Sequence, residues 1–145
     1  MPIKINYLEA QAFSANKSLP IDGWDSLRQV NLISVLGRKF VENNLKKRNI
    51  ECNFLPTFTQ AMGMLNRGRA DVAVFPRIVG IKASREANTP DVVPVGQPLS
   101  ELGLFHYINK KHQSIVNKLA VVLQQMEDSG RLKEIRAGFI TANNF

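Results

Sequence analysis

The titratable and nucleophilic side chains of this chain do not form a recognisable catalytic motif. His106 and His112 are six residues apart, the first in the apolar run LGLFHYI and the second after two lysines, so they lack the H-x-x-x-H spacing of a metal pair. The sequence contains no G-x-S-x-G, P-loop or C-x-x-C motif, and Asp71, Asp91 and Glu127 lie in separate segments. We therefore expect no enzymatic activity, no bound metal and no cofactor.

Positive charge is the second chemical feature of the sequence, which carries a formal net charge of +7. The densest basic clusters are Lys46, Lys47 and Arg48, followed by Arg67 and Arg69. Both clusters come at the ends of segments with helical periodicity, where cations complement the helix dipole. No recognition helix or aromatic stacking platform accompanies them, so we expect no nucleic-acid partner.

Composition is typical of a single soluble domain, with 145 residues of which 44% are hydrophobic. The chain has no run of 18 or more apolar residues and does not begin with a charged-then-apolar leader, so we expect neither a membrane span nor an export signal within it. The single cysteine, Cys52, lies in the short segment IECNFL. Packing is favoured over reactivity for such a thiol.

The segment at 54–80 predicts a helix between two strands. Thr57 and Gln60 have the T-x-x-Q spacing of a capping box, and Gly68 is placed to end the helix. The run VAVF after Asp71 indicates a strand covered on both faces. The apolar face of the helix would consist of Phe58, Ala61, Met62 and Leu65.

The preceding segments extend this pattern toward the N-terminus. NLISVL at 31–36 predicts a buried strand, and a helix with an apolar stripe follows at 38–48. IECNFL at 50–55 predicts the next strand, so that with 71–75 the order is strand, helix, strand, helix, strand. This order indicates a right-handed βαβαβ unit with parallel strands.

Four stretches carry a family resemblance: GWDSL, SVLGRKFVENNL, AMGMLNRGRADVAVF and NKLAVVLQQMEDSGRLKEI. In this order they resemble solute-binding protein family 3, the substrate-binding components of polar-amino-acid ABC transporters. The resemblance covers the chain from about residue 20 onward. It implies an α/β fold, the type II periplasmic-binding-protein-like lobe, in which a mostly parallel sheet is flanked by helices and followed by a C-terminal strand and helices.

The resemblance also implies a domain organisation. Residues 1–22 correspond to a crossover or hinge segment, 23–98 to the second, ligand-binding lobe, and 99–145 to the return strand and helices, with most of the N-terminal lobe lacking. LGLFHYINKK is expected to be a strand, and the helices after it carry the apolar stripe Ile115, Leu119, Val122, Leu123, Met126, Leu132, Ile135 and Phe139. In the family this stripe packs in the first lobe, whose remaining core would be missing here. We therefore expect a homodimer or an oligomer that exchanges the segment 100–140.

The candidate ligand site lies at the carboxyl ends of the three predicted parallel strands. Ligands of open α/β sheets bind there, because helix N-termini present free N–H groups. The candidate residues are Gly37, Arg38 and Lys39 after the first strand, Thr57 after the second, and Pro76 and Arg77 after the third.

The resemblance bears on the ligand itself. The family's first turn offers amides and a hydroxyl to a ligand carboxylate, whereas here Gly37 is kept, a Ser or Thr is missing and Arg38 adds charge. Amino-acid-binding members carry an aspartate where this chain has Pro76, so the partner of an α-ammonium group is absent and a standard α-amino acid is disfavoured. Arg77 favours an anionic group, or else is a solvated residue in the first turn of a helix at 77–85.

The function implied by the resemblance is binding of a small polar or anionic solute as part of a periplasmic ABC-transporter component that docks on a membrane permease. A sensory ligand-binding domain of a membrane signalling protein uses the same fold, as do regulator effector domains and some enzymes. Trp24 and Phe13 lie near the predicted hinge, and packing is favoured over stacking on a ligand because Leu19, Ile21 and Leu27 beside them also have core character.

Overall fold

Five strands form one sheet in the computed structural model of the chain, which describes residues 3–145. The strands are β1 (Lys4–Ser14), β2 (Leu32–Val35), β3 (Asn53–Leu55), β4 (Val72–Pro76) and β5 (Val93–Phe105), in the spatial order β3-β2-β4-β1-β5. Strand β2 pairs in parallel with both β3 and β4, and β1 is antiparallel to β4. The predicted parallel βαβαβ unit is confirmed, with β3 at the edge of the sheet.

Helices connect and follow these strands. They are α1 (Lys39–Lys47), α2 (Phe58–Asn66), α3 (Arg77–Glu86), α4 (Val116–Asp128) and α5 (Arg131–Asn143), with 3₁₀ helices at Trp24–Gln29 and Lys110–Ile115. None of them, within the described residues, is long and apolar enough to cross a membrane.

Two predicted boundaries change for local reasons. Strand β3 begins at Asn53, not residue 50, because Asn49 has φ +52° and the Ile50 amide donates to Leu45 O, which ends α1. The prediction that LGLFHYINKK is a strand was wrong beyond Phe105, where β5 ends. There the Asn109 side chain accepts a hydrogen bond from the Lys111 amide and starts the 3₁₀ helix.

The described chain divides into two compact units. The larger comprises Glu9–Glu101, and the smaller comprises Leu102–Phe145 and the described residues before Glu9. The division therefore falls within β1 and within β5. In the larger unit, alternate strand residues enter two core clusters, as the period of two in a strand requires. One cluster packs Leu32, Val72 and Val74 with α1, and the other packs Ile33, Val35, Ala73 and Phe75 with α2 and α3. Trp24 and Phe13 are buried in these clusters, as expected for packing residues.

In the smaller unit, helices α4 and α5 contain no fully buried residue. Part of the predicted apolar stripe remains accessible: Ile135 and Phe139 of α5 are 50% and 53% exposed, and Ile115, at the end of the preceding 3₁₀ helix, is 50% exposed. Arg136 stacks on the Tyr7 ring at 3.3 Å from its centroid and donates to the Asn6 side chain, which ties α5 to β1 within this unit.

Candidate functional site

The carboxyl ends of β2, β3 and β4 lie side by side because these strands are parallel. The register places Val35 beside Leu55, and the Leu36 amide donates to Leu55 O at 3.0 Å, so the turns after β2 and β3 are adjacent. Since β2 also pairs with β4, the turn after β4 belongs to the same edge of the sheet. The carboxyl edge therefore carries Gly37, Arg38, Lys39, Thr57, Pro76 and Arg77, the six candidate residues.

The turn between β2 and α1 is already occupied by an anion that belongs to the chain. Gly37 has φ +84°, and its amide donates to Glu42 Oε1 at 2.7 Å. Lys39 Nζ donates to Glu42 Oε2 at 2.7 Å. The Lys39 hydrogen bond, together with those from the Gly37 and Arg38 amides, holds the pKa of the Glu42 carboxyl below its ordinary value. The amide group predicted to meet a solute carboxylate is thus taken by Glu42.

Arg38 connects the first and second turns. Its guanidinium carbon lies 5.0 Å from the centroid of the Phe58 ring, an aromatic residue in the first turn of α2. Cation–π contacts of this kind hold the group without neutralising it. No ion pair among the described residues includes Arg38, so its charge stays available at the edge.

Thr57 is the N-cap of α2, as predicted. Its Oγ1 accepts a hydrogen bond from the Gln60 amide at 3.2 Å, and its backbone is extended, with φ −135°. The hydroxyl hydrogen of a capping threonine can still be donated to another acceptor. Thr57 is exposed, so it can serve the helix and contact a solute at the same time.

The turn from β4 into α3 is immediate, because Pro76 is the last residue of β4 and Arg77 is the first of α3. Pro76 is buried and precedes α3, whose first residue is the partly buried Arg77. Arg77 Nη1 donates at 3.2 Å to Oε1 of Gln11, which belongs to β1 and is fully buried. Strand pairing explains this contact, because Gln11 lies opposite Phe75 in the β1–β4 ladder. No ion pair of the described residues includes Arg77.

Gln11 was not among the residues expected at the site. The one signal in the sequence is a glutamine inside the apolar run AQAF, which a buried strand accepts only when the amide finds partners. The two shortest of its donor contacts are to residues remote in sequence, since Gln11 Nε2 donates to Val95 O at 2.9 Å and to Gly96 O at 3.2 Å, besides the adjacent Ala12 O at 3.4 Å. The sequence could mark the residue as unusual but not connect it to Arg77.

Other reactive groups do not add to this edge. Burial raises the pKa of the Cys52 thiol to about 12, so the thiolate nucleophile is not formed at neutral pH. No group of three or more His, Cys, Asp or Glu residues suited to hold a metal occurs in the described part of the chain. A cavity of about 410 Å³ in the larger unit is lined by Phe13, by Ile81, Ser84 and Arg85 of α3 and by 88–90 and 92–94. None of the six edge residues lines it.

Comparison with known proteins gives the fold a context. No protein-family profile and no curated protein sequence matches the chain. Solved structures do. A histidine kinase sensor domain with similarity to periplasmic binding proteins matches with a TM-score of 0.68 at 20% identity, over 95% of this chain and 60% of the other. The chain has a periplasmic-binding-protein-like fold.

Two further structures agree with that fold. The probable amino-acid ABC transporter extracellular-binding protein YtmK from Bacillus subtilis matches with a TM-score of 0.68 at 20% identity, over 91% of this chain and 58% of the other. The GluR0 ligand-binding core in complex with L-glutamate matches with a TM-score of 0.69 at 11% identity, over 92% and 59%. The chain therefore spans about 60% of the length of the first structures it matches, and the resemblance to solute-binding proteins is confirmed for the fold.

Proposed function

We propose that this chain binds a small polar solute at the carboxyl edge and that Arg77, assisted by Arg38, receives an anionic group of that solute. One observation carries the proposal: Arg77 is partly buried and held in place, yet its charge has no carboxylate partner among the described residues. A partly buried cation without a counter-ion is costly, and a bound anion would remove that cost through charge-assisted hydrogen bonds.

The same turn argues against a standard α-amino acid as the solute. Pro76 has no side-chain acceptor for an ammonium group, and an ammonium ion desolvated without a partner costs several kcal/mol. Glu42 is committed to Gly37 and Lys39, which leaves no free carboxylate in the first turn. In the proposed site, Gly37 and Lys39 shape the first turn, Thr57 donates its hydroxyl hydrogen, and the arginines supply the charge.

Transport is the role we propose for this binding: the chain acts as part of a periplasmic substrate-binding component of an ABC-type, amino-acid-like transporter, without enzymatic activity and with a membrane permease as partner. The similarity to YtmK supports this role. The similarity to a histidine kinase sensor domain, over 95% of the chain, favours a second candidate, a ligand-binding domain of a membrane signalling protein. A kinase or cyclase domain encoded in frame downstream would favour the sensor, and a neighbouring permease gene would favour the transporter.

A second copy of the chain is the proposed partner of the smaller unit. The half-exposed side chains of Ile115, Ile135 and Phe139 are the supporting observation, because large apolar side chains exposed together on one unit are typical of association sites. We expect a homodimer or a segment-exchanged oligomer. Size-exclusion chromatography with light scattering would then give at least twice the chain mass of 16.3 kDa, and a compact monomer at micromolar concentration would contradict it.

Solute binding is tested by following ¹H–¹⁵N resonances during a titration with succinate, and with glutamine as the amino-acid probe. We expect saturable shifts of the Arg77 Nε–Hε group and of edge amides with succinate, with a Kd of roughly millimolar size because the site is open. Glutamine should give smaller shifts. Arg77→Gln should weaken succinate binding about tenfold, as loss of a charge-assisted contact implies.

Arg69→Gln is the matched control for this experiment. Arg69 is exposed and precedes the amino end of β4, so its replacement changes the net charge equally at the opposite end of the same strand. Succinate binding by this variant should stay within about twofold of the wild type, given that exposed charges interact weakly over distance. Equal weakening by both variants, or no saturable shift at the edge, would overturn the proposal.

A further inference from the structure

Gln11 is a polar side chain with 0% exposure in β1, and each of its amide groups has a defined partner. The Nε2 group donates to three carbonyl oxygens, Val95 O, Gly96 O and, at 3.4 Å, Ala12 O, and Oε1 accepts from the Arg77 guanidinium. The reverse orientation would set an oxygen against three oxygens and an NH₂ group against an N–H donor, so only one orientation satisfies the four contacts. The neighbours thus fix which atom Gln11 presents to Arg77.

The neutrality of Gln11 is as important as its orientation. A carboxylate at this place would form an ion pair with Arg77 and cancel most of its charge toward an external anion. The carboxamide accepts one hydrogen bond from Nη1 and adds no charge, so the guanidinium is oriented while its positive charge persists. The described residues make no other hydrogen bond to this guanidinium. Its edge formed by Nε and Nη2 therefore stays available for a bidentate contact.

We propose that Gln11 is the positioning and specificity-determining residue of the carboxyl edge: buried and neutral, it holds Arg77 so that the guanidinium takes a planar carboxylate of the solute. This inference rests on the proposed function and names the class of ligand, a small carboxylate anion without a neighbouring amino group. Gln11 acts through Arg77 and does not itself touch the solute.

Two variants separate orientation from charge, with succinate as the probe. Gln11→Met removes the acceptor but keeps a similar length, so we expect the Arg77 Nε–Hε resonance to shift toward the solvent-averaged position even without succinate. Its Kd for succinate should rise about three- to tenfold. Gln11→Glu places a carboxylate beside Arg77, and we expect succinate binding to fall more than tenfold. Succinate binding by this variant is measured at a pH where the ¹³C shift of the introduced carboxyl group shows that this group is ionised.

Ser14→Ala is the control within the same strand. Ser14 is 1% exposed and its Oγ donates to Asp71 O at 2.7 Å, so the variant also loses a partly buried side-chain hydrogen bond, but at the last residue of β1, three residues after Gln11. It should change neither the Arg77 resonance nor the succinate Kd by more than about twofold, since substitutions at distant sites act independently.

Two results would overturn the inference. One is an unchanged Arg77 resonance in Gln11→Met, and the other is succinate binding by ionised Gln11→Glu within twofold of the wild type. Failure of the proposed function has a different signature, because a wild type that does not respond to succinate can still show displacement of the Arg77 resonance in Gln11→Met. The positioning role is decided by that resonance whether or not succinate binds.

Discussion

The turns after β2 and β4 lie at the same sheet edge and each carries cations, yet they treat charge in opposite ways. In the first turn, the Glu42 carboxylate takes both the Gly37 amide and the Lys39 ammonium group. In the second, Arg77 donates only to the neutral amide oxygen of Gln11. The first turn has two cations, Arg38 and Lys39, and the second has one, Arg77, so a count of positive residues would favour the first. The charge of the partner decides which cation is available to a solute: Lys39 is paired with Glu42, whereas neither Arg38 nor Arg77 has a carboxylate partner among the described residues.

The two turns also depend on glycine for different reasons. Gly37 is needed because its backbone has a positive φ of +84°, which residues with a Cβ rarely adopt. Space is not the reason, since a Cβ there would meet nothing within 4 Å. Gly80, in α3 one turn after Arg77, is needed for its small size, because a Cβ would lie 2.4 Å from the Phe13 ring. The first turn is therefore conformationally constrained, and the second is constrained by packing.

The largest effect should come from Gly80→Ala. The added Cβ would overlap a fully buried aromatic ring that cannot move freely, and overpacking of this kind costs about 1–3 kcal/mol. Urea unfolding should show that loss. The Gly80→Ala substitution should also displace the resonances of Arg77, which lies in the same helix.

Gly63→Ala is the control for Gly80→Ala, as a second helix-interior glycine of the larger unit. A Cβ at Gly63 would approach only the flexible Arg67 guanidinium, at 3.9 Å. Alanine has the higher helix propensity, so this variant should be neutral or more stable by up to about 1 kcal/mol. A Gly80→Ala protein as stable as Gly63→Ala would show that packing against Phe13 does not position α3.

The next effect is that of Gly37→Ala, which should lower the free energy of unfolding by about 1 kcal/mol through strain at positive φ. Gly37→Asn should lose less, because asparagine tolerates this region better. Urea unfolding of the two variants checks the order. Equal stability of Gly37→Ala and the wild type would mean that the turn relaxes, and the contrast with Gly80 would disappear.

Apolar periodicity was sufficient to predict the elements beneath this edge. Val41 and Leu45 of α1, and Ala61, Met62 and Leu65 of α2, enter the core on the faces that their spacing indicated. The cap at Thr57 was equally local, because capping joins residues three apart. These features depend on short-range patterns that a single sequence displays.

The contents of the site were harder to predict because they depend on contacts between remote segments. Gln11 meets Val95, Gly96 and Arg77 only once β1 has inserted between β4 and β5. Glu42 is different, since it lies five residues after Gly37 and an acidic side chain in the first turn of a helix favours the free amides there. The contact between Gly37 and Glu42 could have been inferred from the sequence. The contact between Arg77 and Gln11 could not, because it depends on the pairing of β1 with β4.

The smallest effect should be the pH dependence of the first turn. Because the pKa of Glu42 is lowered in the folded protein, its carboxylate contributes stability above the ordinary value of 4.5, and that contribution is lost as the pH falls through the folded-state pKa. The Gly37 amide resonance should therefore titrate below pH 4.5. Glu42→Gln should abolish that titration and reduce the loss of stability between neutral and acidic pH, measured by urea unfolding.

Arg77 provides the internal reference for this last measurement, since Gln11 does not ionise. Its Nε–Hε resonance should stay constant while the Gly37 amide titrates, provided that the two turns are independent. A shared titration would mean that protonation of Glu42 changes the environment of Arg77. The turns after β2 and β4 would then not be independent. Titration of the Gly37 amide alone would show that the charge of Glu42 acts within the turn after β2 and leaves the Arg77 guanidinium unchanged.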